Sequence, residues 1–324
     1  MPMPSPTPSV AVAGEALIDL IRRPDGAYAP CLGGSVYNQA RALARQGIAT
    51  HYLNPLSGDA FGRELAQQMQ ADGAHLTTAE PVQAPTSLAV VRTNAQGHPQ
   101  YAFYRQGVAD RHIGAAGLNA ACDALPTLGV VCTGGLALDP QDADIYLPWL
   151  AAQRARGLTV AVDVNMRPSV MPDLPAYRAH ALAVMRHADI AKVSDEDLAH
   201  LQASGDEPLS QARSLFGLAP TLSWIALTLG PDGAHLLARD GRQWHWREAR
   251  ALRVADTVGA GDCFFAGLLA QGLRLGASAL TRPDDTAALA MLQHAIASAS
   301  LCVQQQGCVP PSWDEALAWR QAQA

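Results

Sequence analysis

The run Asp256-Thr257-Val258-Gly259-Ala260-Gly261-Asp262 puts three small residues directly ahead of a strongly apolar segment, residues 263–270, that reads as a buried helix. Small residues at that place let backbone N–H groups converge on an anion. The helix dipole adds roughly half a positive charge there. A carboxylate at position 262 then stands beside a site for an oxyanion or a phosphate, and the dipole should keep it ionised near neutral pH. An anion pocket next to a fixed proton acceptor is what phosphoryl transfer to a hydroxyl needs. The plainer reading is a glycine turn with Asp262 as a helix-start residue. These residues alone leave both open.

Other polar clusters stand where short apolar segments end. Gly14-Glu15-Ala16-Leu17-Ile18-Asp19 carries Asp19, and Gly33-Gly34 with Asn38 combines close backbone approach with an amide. Asp163-Val164-Asn165-Met166-Arg167, Lys192-Val193-Ser194-Asp195-Glu196-Asp197 and Thr228-Leu229-Gly230-Pro231-Asp232-Gly233 follow three later segments. Any one could be a turn with a helix cap, a part that suits Asp195. Together they supply acceptors and an arginine for a polyol, glycine backbone for phosphates, and carboxylates for hydrated Mg²⁺.

The elements that must hold these clusters follow from periodicity. Residues 9–20 read as a strand, 35–47 as a helix, 51–56 as a strand and 59–72 as a helix. Residues 87–93 and 100–105 read as two strands of a hairpin joined by 94–99, and 233–239 with 242–246 as another. Between them short apolar strands at 128–132, 158–162, 189–193 and 223–229 alternate with helices at 142–156, 176–187 and 195–202. Helices at 259–274, 284–304 and 313–322 close the chain. The alternation predicts an α/β fold, a mainly parallel sheet covered by helices on both faces. In such sheets ligands bind beyond the C-terminal ends of the strands. The early hairpin breaks the rhythm and should stand apart as a small sheet.

Composition narrows the classes. The chain has 324 residues, enough for one large α/β domain, and 49% are hydrophobic, which argues against disorder. Net charge is −6 with scattered basic residues, so no nucleic-acid face is expected. No run approaches a membrane span, and residues 1–8 lack the features of a signal peptide and read as a disordered tail. Six cysteines without metal-ligand spacing fit a reducing cytoplasm and read as small buried hydrophobes. No G-x-G-x-x-G turn follows the first strand, which argues against a dinucleotide-dependent dehydrogenase. Of 23 basic residues only Lys192 is lysine. Either it survives a compositional bias, or the position needs a compact ammonium.

Gly33-Gly34-x-x-x-Asn38 and Asp256-Thr257-x-Gly259-Ala260-Gly261-Asp262 resemble the two signatures of the ribokinase-like carbohydrate kinases, over about residues 10 to 312. Within that family Gly14-Glu15-Ala16-Leu17-Ile18-Asp19, Phe103-Tyr104-Arg105 with Ala109-Asp110-Arg111, Asp163-x-Asn165-x-Arg167 and Lys192-x-Ser194 are most similar to fructokinases. The resemblance implies a three-layer α/β/α domain over residues 9–324 with a small β lid drawn from about 15–32 and 86–108. It implies ATP, Mg²⁺ and K⁺ as partners of the reaction. Asp262 would be the base, with Gly259, Ala260 and Gly261 as the anion hole. Asp19, Gly33, Gly34, Asn38, Phe103, Arg105, Asn165 and Arg167 would hold the sugar. Lys192, Ser194, Thr228, Gly230, Gly233, Ser298 and Cys302 would serve the nucleotide. Asp256 and Val258 match the monovalent-cation loop. The family often has Asn-x-x-Glu where this chain has Ser194-x-x-Asp197, so Asp197 or Glu196 would reach Mg²⁺ through water.

D-Fructose, phosphorylated at O6, is the first substrate expectation, and 2-keto-3-deoxygluconate is the alternative because Arg105 and Arg167 could pair with its carboxylate. Ribosides of nucleobase-like groups form a third option. In another class altogether, the scaffold could bind a sugar or nucleotide without catalysis. A homodimer through the lid is also expected, since residues 87–91 alternate poorly and a bare sheet edge is a liability.

Overall fold

The chain divides its strands between two sheets of different size. This computed structural model describes residues 7–23, 25–78, 80–93 and 99–322. Residues 1–6 of the expected tail and 94–98 of the expected hairpin turn lie outside them. Pro8 packs on Gly129, so the tail expected over 1–8 stops short of that residue.

β1 (Ser9–Val12) enters the large sheet, β2 (Leu17–Arg22) and β3 (Tyr28–Gly33) form a hairpin, and α1 (Ser35–Arg45) follows. Then come β4 (Thr50–Tyr52), α2 (Ala60–Ala71), β5 (His75–Leu76) and the hairpin of β6 (Ser87–Thr93) and β7 (Pro99–Tyr104). Next are α3 (Ala115–Asp123), β8 (Leu128–Gly134), α4 (Ala143–Ala155), β9 (Thr159–Asp163), α5 (Leu174–Met185), β10 (Ile190–Ser194), α6 (Asp195–Leu201), α7 (Pro208–Leu218) and β11 (Trp224–Thr228). β12 (Ala234–Ala238), β13 (Gln243–Trp246), α8 (Ala260–Leu275), α9 (Ala277–Thr281), α10 (Asp285–Cys302) and α11 (Trp313–Gln321) complete the order. Helices α3, α7 and α9 and the short strand β5 have no counterpart in the sequence-based expectation.

The expected single strand over 9–20 is two strands in two sheets. Gly14, at φ 154°, breaks it. Its N–H donates to Asn54 Oδ1 and its carbonyl accepts from Tyr52 Oη, so neither group is free to continue a ladder.

The large sheet has the order β13-β12-β11-β10-β9-β8-β1-β4-β5. It is parallel from β5 to β11 and antiparallel at β12 and β13. Successive side chains leave opposite faces. Val10, Val12, Ile190, Trp224 and Ala226 enter one core, built with α1, α2, α8 and α10. Ala11, Ala13, Ala191, Val193, Ile225 and Leu227 enter the other, built with α3 to α7. This is the three-layer α/β/α arrangement. In α8 every residue from Asp262 to Leu273 is buried, so the helix is apolar nearly all round. The alternation also decides the placement of Lys192. It shares the side of Ile190 and therefore faces the layer that contains α8.

The small sheet has the order β3-β2-β6-β7. Its register puts Leu17, Asp19, Gly33, Ser87, Ala89 and Phe103 on one face. Leu20, Tyr28, Pro30, Val90, Ala102 and Tyr104 fall on the other. These strands match the expected lid.

Candidate active site

Asp262 stands in the first turn of α8 and is almost fully buried. Both of its oxygens accept hydrogen bonds: Oδ1 from Ser35 Oγ at 2.7 Å, Oδ2 from Asn38 Nδ2 at 3.0 Å. Asn165, itself at φ 36°, donates from Nδ2 to Ser35 Oγ at 2.7 Å. Three distant segments thus converge on one carboxylate. Burial raises the Asp262 pKa, opposed by the bonds from Ser35 and Asn38 and by the charges of Lys192 and Arg167. The sequence-based expectation counted only the helix dipole, which favours the anion. Burial works against it.

The turn ahead of α8 is shaped by two close approaches. Gly259 is at φ 77°, and a Cβ there would collide with Cys308 Sγ. A Cβ on Gly261 would lie 2.9 Å from Lys192 Nζ. Lys192 is buried under this turn and bonds Asp163 Oδ1 at 3.0 Å. Burial disfavours its charge, but Asp163, Asp197 and Asp262 outweigh that and raise its pKa. A fixed ammonium therefore adjoins the N–H groups of the turn. This combination can stabilise an anion beside a carboxylate.

Next to Asp262 lies a set of acceptors without donors. Asn38 Oδ1, Glu15 Oε2 and Asp163 Oδ2 are buried and have no hydrogen-bond partner. Glu15 Oε1 accepts from the Ser35 N–H, and burial pushes its pKa up to about 7. Asp19 lies against Gly33, where any Cβ would meet its Oδ2, and burial pushes its pKa up to about 6, with Arg167 opposing. Gly34 caps α1 at φ 104°, and a Cβ there would be 2.9 Å from the Glu15 carbonyl. Phe103 shares the lid face of Asp19. Arg167 is exposed, with Nη1 donating to the Met166 carbonyl. The unpartnered oxygens are closed to solvent, and the side chains that present surface beside them are Asp19, Asn165 and Arg167.

Arg105 departs from expectation. Its guanidinium is buried and paired with Asp139 at 3.3 Å and Asp142 at 3.7 Å. Only its Nε lacks a partner. Asp142 is shared with Arg111, which holds its Oδ1 at 2.7 Å, so two carboxylates serve two arginines.

On the nucleotide side, Ser194 pairs in register with Thr228 at the strand ends, and Thr228 Oγ1 donates to the Val193 carbonyl at 3.4 Å. Gly230 is exposed at φ 53° with open space where a Cβ would be. Gly233 is buried against the Trp246 backbone, where it lets β12 and β13 close together. Ser298 and Cys302 are corrected. Both are completely buried and offer no surface to a nucleotide. Ser298 Oγ lies between α8 and α10 and donates to the His294 carbonyl, and Cys302 Sγ donates to the Val258 carbonyl. Their places on a long apolar helix gave no hint of which side faced inward.

Asp197, expected to reach Mg²⁺ through water, also has a structural part. It closes a capping box at the start of α6, with Oδ2 accepting from both the N–H and Oγ of Ser194. Its Oδ1 accepts from the Met166 N–H at 2.7 Å. Oδ2 is thus filled by Ser194, while Oδ1 accepts only the one bond. Glu196 is exposed at the same strand end. Asp256 ties its own loop to the next, accepting from Val258 N–H at Oδ1 and from Gly307 N–H at Oδ2. Oδ1 and the Val258 carbonyl each accept a single donor, which fits a cation bound by oxygen.

Sequence reasoning assigned no role to Ser35 or Glu15. Ser35 looked like a helix-start residue, yet Gly34 is the cap and the Ser35 hydroxyl reaches Asp262. Glu15 was visible in the first polar cluster, but only its burial beside Ser35 marks it.

Replacing Asp197 with alanine should cost about 1–3 kcal/mol of stability, through loss of the cap and of the Met166 bond. The Mg²⁺ concentration for half-maximal turnover should stay where it is. A thermal melt and a Mg²⁺ titration of the variant check both.

The architecture and the chain agree with known proteins. The sequence profile described as pfkB family carbohydrate kinase matches residues 7–315. A fructokinase of Rhizobium leguminosarum bv. trifolii is 31% identical over 269 residues, covering 81% of this chain and 78% of that protein. The crystal structure of a Xylella fastidiosa fructokinase with bound ATP has a TM-score of 0.83 at 24% identity, covering 97% of this chain and 98% of that one. A fructokinase double mutant of Vibrio cholerae O395, in its fructose-, ADP- and potassium-bound form, has a TM-score of 0.79 at 22% identity, with the same coverage. At these identities the two structures establish the fold, and the profile match over nearly the whole length establishes more: this chain belongs to the pfkB family of carbohydrate kinases.

Proposed function

We propose that this sugar kinase transfers the γ-phosphoryl group of ATP to O6 of D-fructose. The observation that carries the reading is the buried Asp262 carboxylate, held by Ser35 and Asn38 beside the Gly259–Gly261 turn and the Lys192 ammonium. Asp262 orients the sugar hydroxyl and takes its proton as the O–P bond forms. Its raised pKa makes it a better acceptor than an exposed aspartate. The N–H groups of Gly259, Ala260 and Gly261 receive the charge that grows on the transferring phosphoryl, with Lys192 behind them. Asp19, Gly33, Gly34, Asn38 and Asn165 hold the sugar hydroxyls, with Phe103 of the lid beside them.

Thr228, Gly230 and Ser194 border the nucleotide phosphates. Mg²⁺ bound with ATP neutralises phosphate charge, and Glu196 meets its water shell. Asp256 and the Val258 carbonyl hold a monovalent cation, such as the potassium ion named with the Vibrio cholerae fructokinase. Fructose is favoured over 2-keto-3-deoxygluconate because Arg105 is buried and already paired with Asp139, and with the Asp142 that it shares with Arg111. An acid sugar would find only Arg167 free to pair with its carboxylate.

The lid supports a homodimer. The face away from Asp19 carries Leu20, Val90, Ala102 and Tyr104, and Tyr104 is 62% exposed. A second copy seated there would cover the apolar side of both small sheets.

An ADP-release assay with fructose, 2-keto-3-deoxygluconate, ribose and nucleosides should give the highest kcat/KM for fructose. Equal or better turnover of the acid sugar would overturn the substrate assignment. Asp262→Asn and Asp262→Ala should lose about 10²–10⁴ in kcat with nucleotide binding intact, and near-normal turnover in both would remove Asp262 as the base. Lys192→Arg should lower kcat at least tenfold, because the space under Gly261 admits an ammonium and not a planar fork. Sedimentation at micromolar concentration should give a dimer that Tyr104→Asp weakens; a monomer in the wild type rejects the lid contact.

A further inference from the structure

Behind the anion-binding turn lies a group of side chains that the kinase reaction does not use. The sulfurs of Cys263, Cys302 and Cys308 all lie within 4.8 Å of one another. It is the one group of three potential metal ligands among the described residues. All three are free thiols. We propose that these three cysteines form a binding site for a single thiophilic d¹⁰ metal ion, with Zn²⁺ as the reference occupant.

The donor set and its setting both favour such an ion. Zinc–sulfur bonds are about 2.3 Å long, which puts the sulfurs of a tetrahedral site about 3.8 Å apart. The three thiols therefore need only a small inward movement to share one ion. Soft sulfur donors select Zn²⁺ or Cu⁺ and reject K⁺, Mg²⁺ and Ca²⁺, so this site is chemically separate from the oxygen ligands of Asp256 and Val258. Three thiolates carry three negative charges, and the cation removes most of them. Asp256 and Asp262, close in sequence to the cluster, add to the attraction for a cation. Cys263 lies in the first turn of α8, and its bonds with Cys302 and Cys308 together with burial hold its proton, so binding the ion must release it.

Access and connectivity also suit the proposal. Cys263 and Cys302 are 1% and 0% exposed, whereas Cys308 is 9% exposed and follows Gly307 at φ 70°. Cys308 is thus the way in and can leave the fourth coordination position to water. The three ligands come from the start of α8, the end of α10 and the loop after it. An ion there would join the loop at 304–308 to the Gly259 turn, against which Cys308 already packs.

The test uses the full-length reduced protein, with a non-thiol reductant and no nucleotide. Zn²⁺ is measured by competition with a chromophoric chelator. Cd²⁺ is measured by its ultraviolet thiolate charge-transfer band, which histidines do not give. This matters because His235 and His245 lie with ring centroids 4.4 Å apart, and His51 and His75 5.2 Å apart. The expected result is one Cd²⁺ per chain with a full charge-transfer band, and one Zn²⁺ that raises the melting temperature. Cys263→Ala and Cys302→Ala should each weaken Zn²⁺ binding at least tenfold and shrink the band. Cys132→Ala, a buried thiol outside the cluster, should leave both unchanged. Circular dichroism selects the variants that fold, and either cluster variant suffices. No charge-transfer band in the wild type, or a band of equal size in a folded cluster variant, overturns the proposal.

Discussion

The hydrogen-bonded carboxylate of Asp262 is the interaction around which the structure is arranged. An ionisable group buried this far is tolerated only when its oxygens are met by donors. Here the donors are Ser35 and Asn38, both from α1. The N-termini of α1 and α8 must therefore face each other across the site, although the residues are 227 and 224 positions apart in sequence. Gly34 makes that possible at one end, since its φ of 104° lets the chain turn from β3 into α1 against the Glu15 backbone. Gly259 does the same at the other end.

The two sheets divide the work along the same line. The parallel strands bring Gly134, Asp163, Ser194 and Thr228 to one edge, the C-terminal ends from β8 to β11. The small sheet is anchored by Gly14, whose backbone is taken by Asn54 and Tyr52, so β2 must leave the large sheet. Asp19 therefore reaches the site from above while the acid and amide groups below stay with the helices. Strand alternation then gives the two lid faces different neighbours: Leu17, Ala89 and Phe103 join one core, while Ile18, Leu20, Leu32 and Leu88 join the other.

Local signals made much of this legible. The glycine turn, the paired glycines before α1 and the polar strand ends all sit where spacing placed them, because turn chemistry and periodicity are encoded within a few residues. What failed needed distant information. Ser298 and Cys302 lie on an apolar helix whose sides only tertiary packing distinguishes. Asp197 stands at a strand end as a ligand would, and only the fold shows that it also caps α6 and holds the Met166 backbone. Ser35 stands at the start of the expected helix with no role of its own, and only the folded chain brings its hydroxyl to Asp262. The three clustered cysteines were unreadable as a group, since Cys263 and Cys302 are separated by all of α9 and α10.

The sole lysine is where composition and geometry meet. A chain that uses arginine at every other basic position keeps an ammonium at 192. Its terminal nitrogen must fit between the Asp163 carboxylate and the backbone of Gly261, with no room for a side chain on the glycine. A guanidinium is wider and planar, and it could satisfy Asp163 only by pushing the turn outward. The turn supplies the N–H groups beside Asp262, so such a push would spoil the anion site while leaving the net charge unchanged.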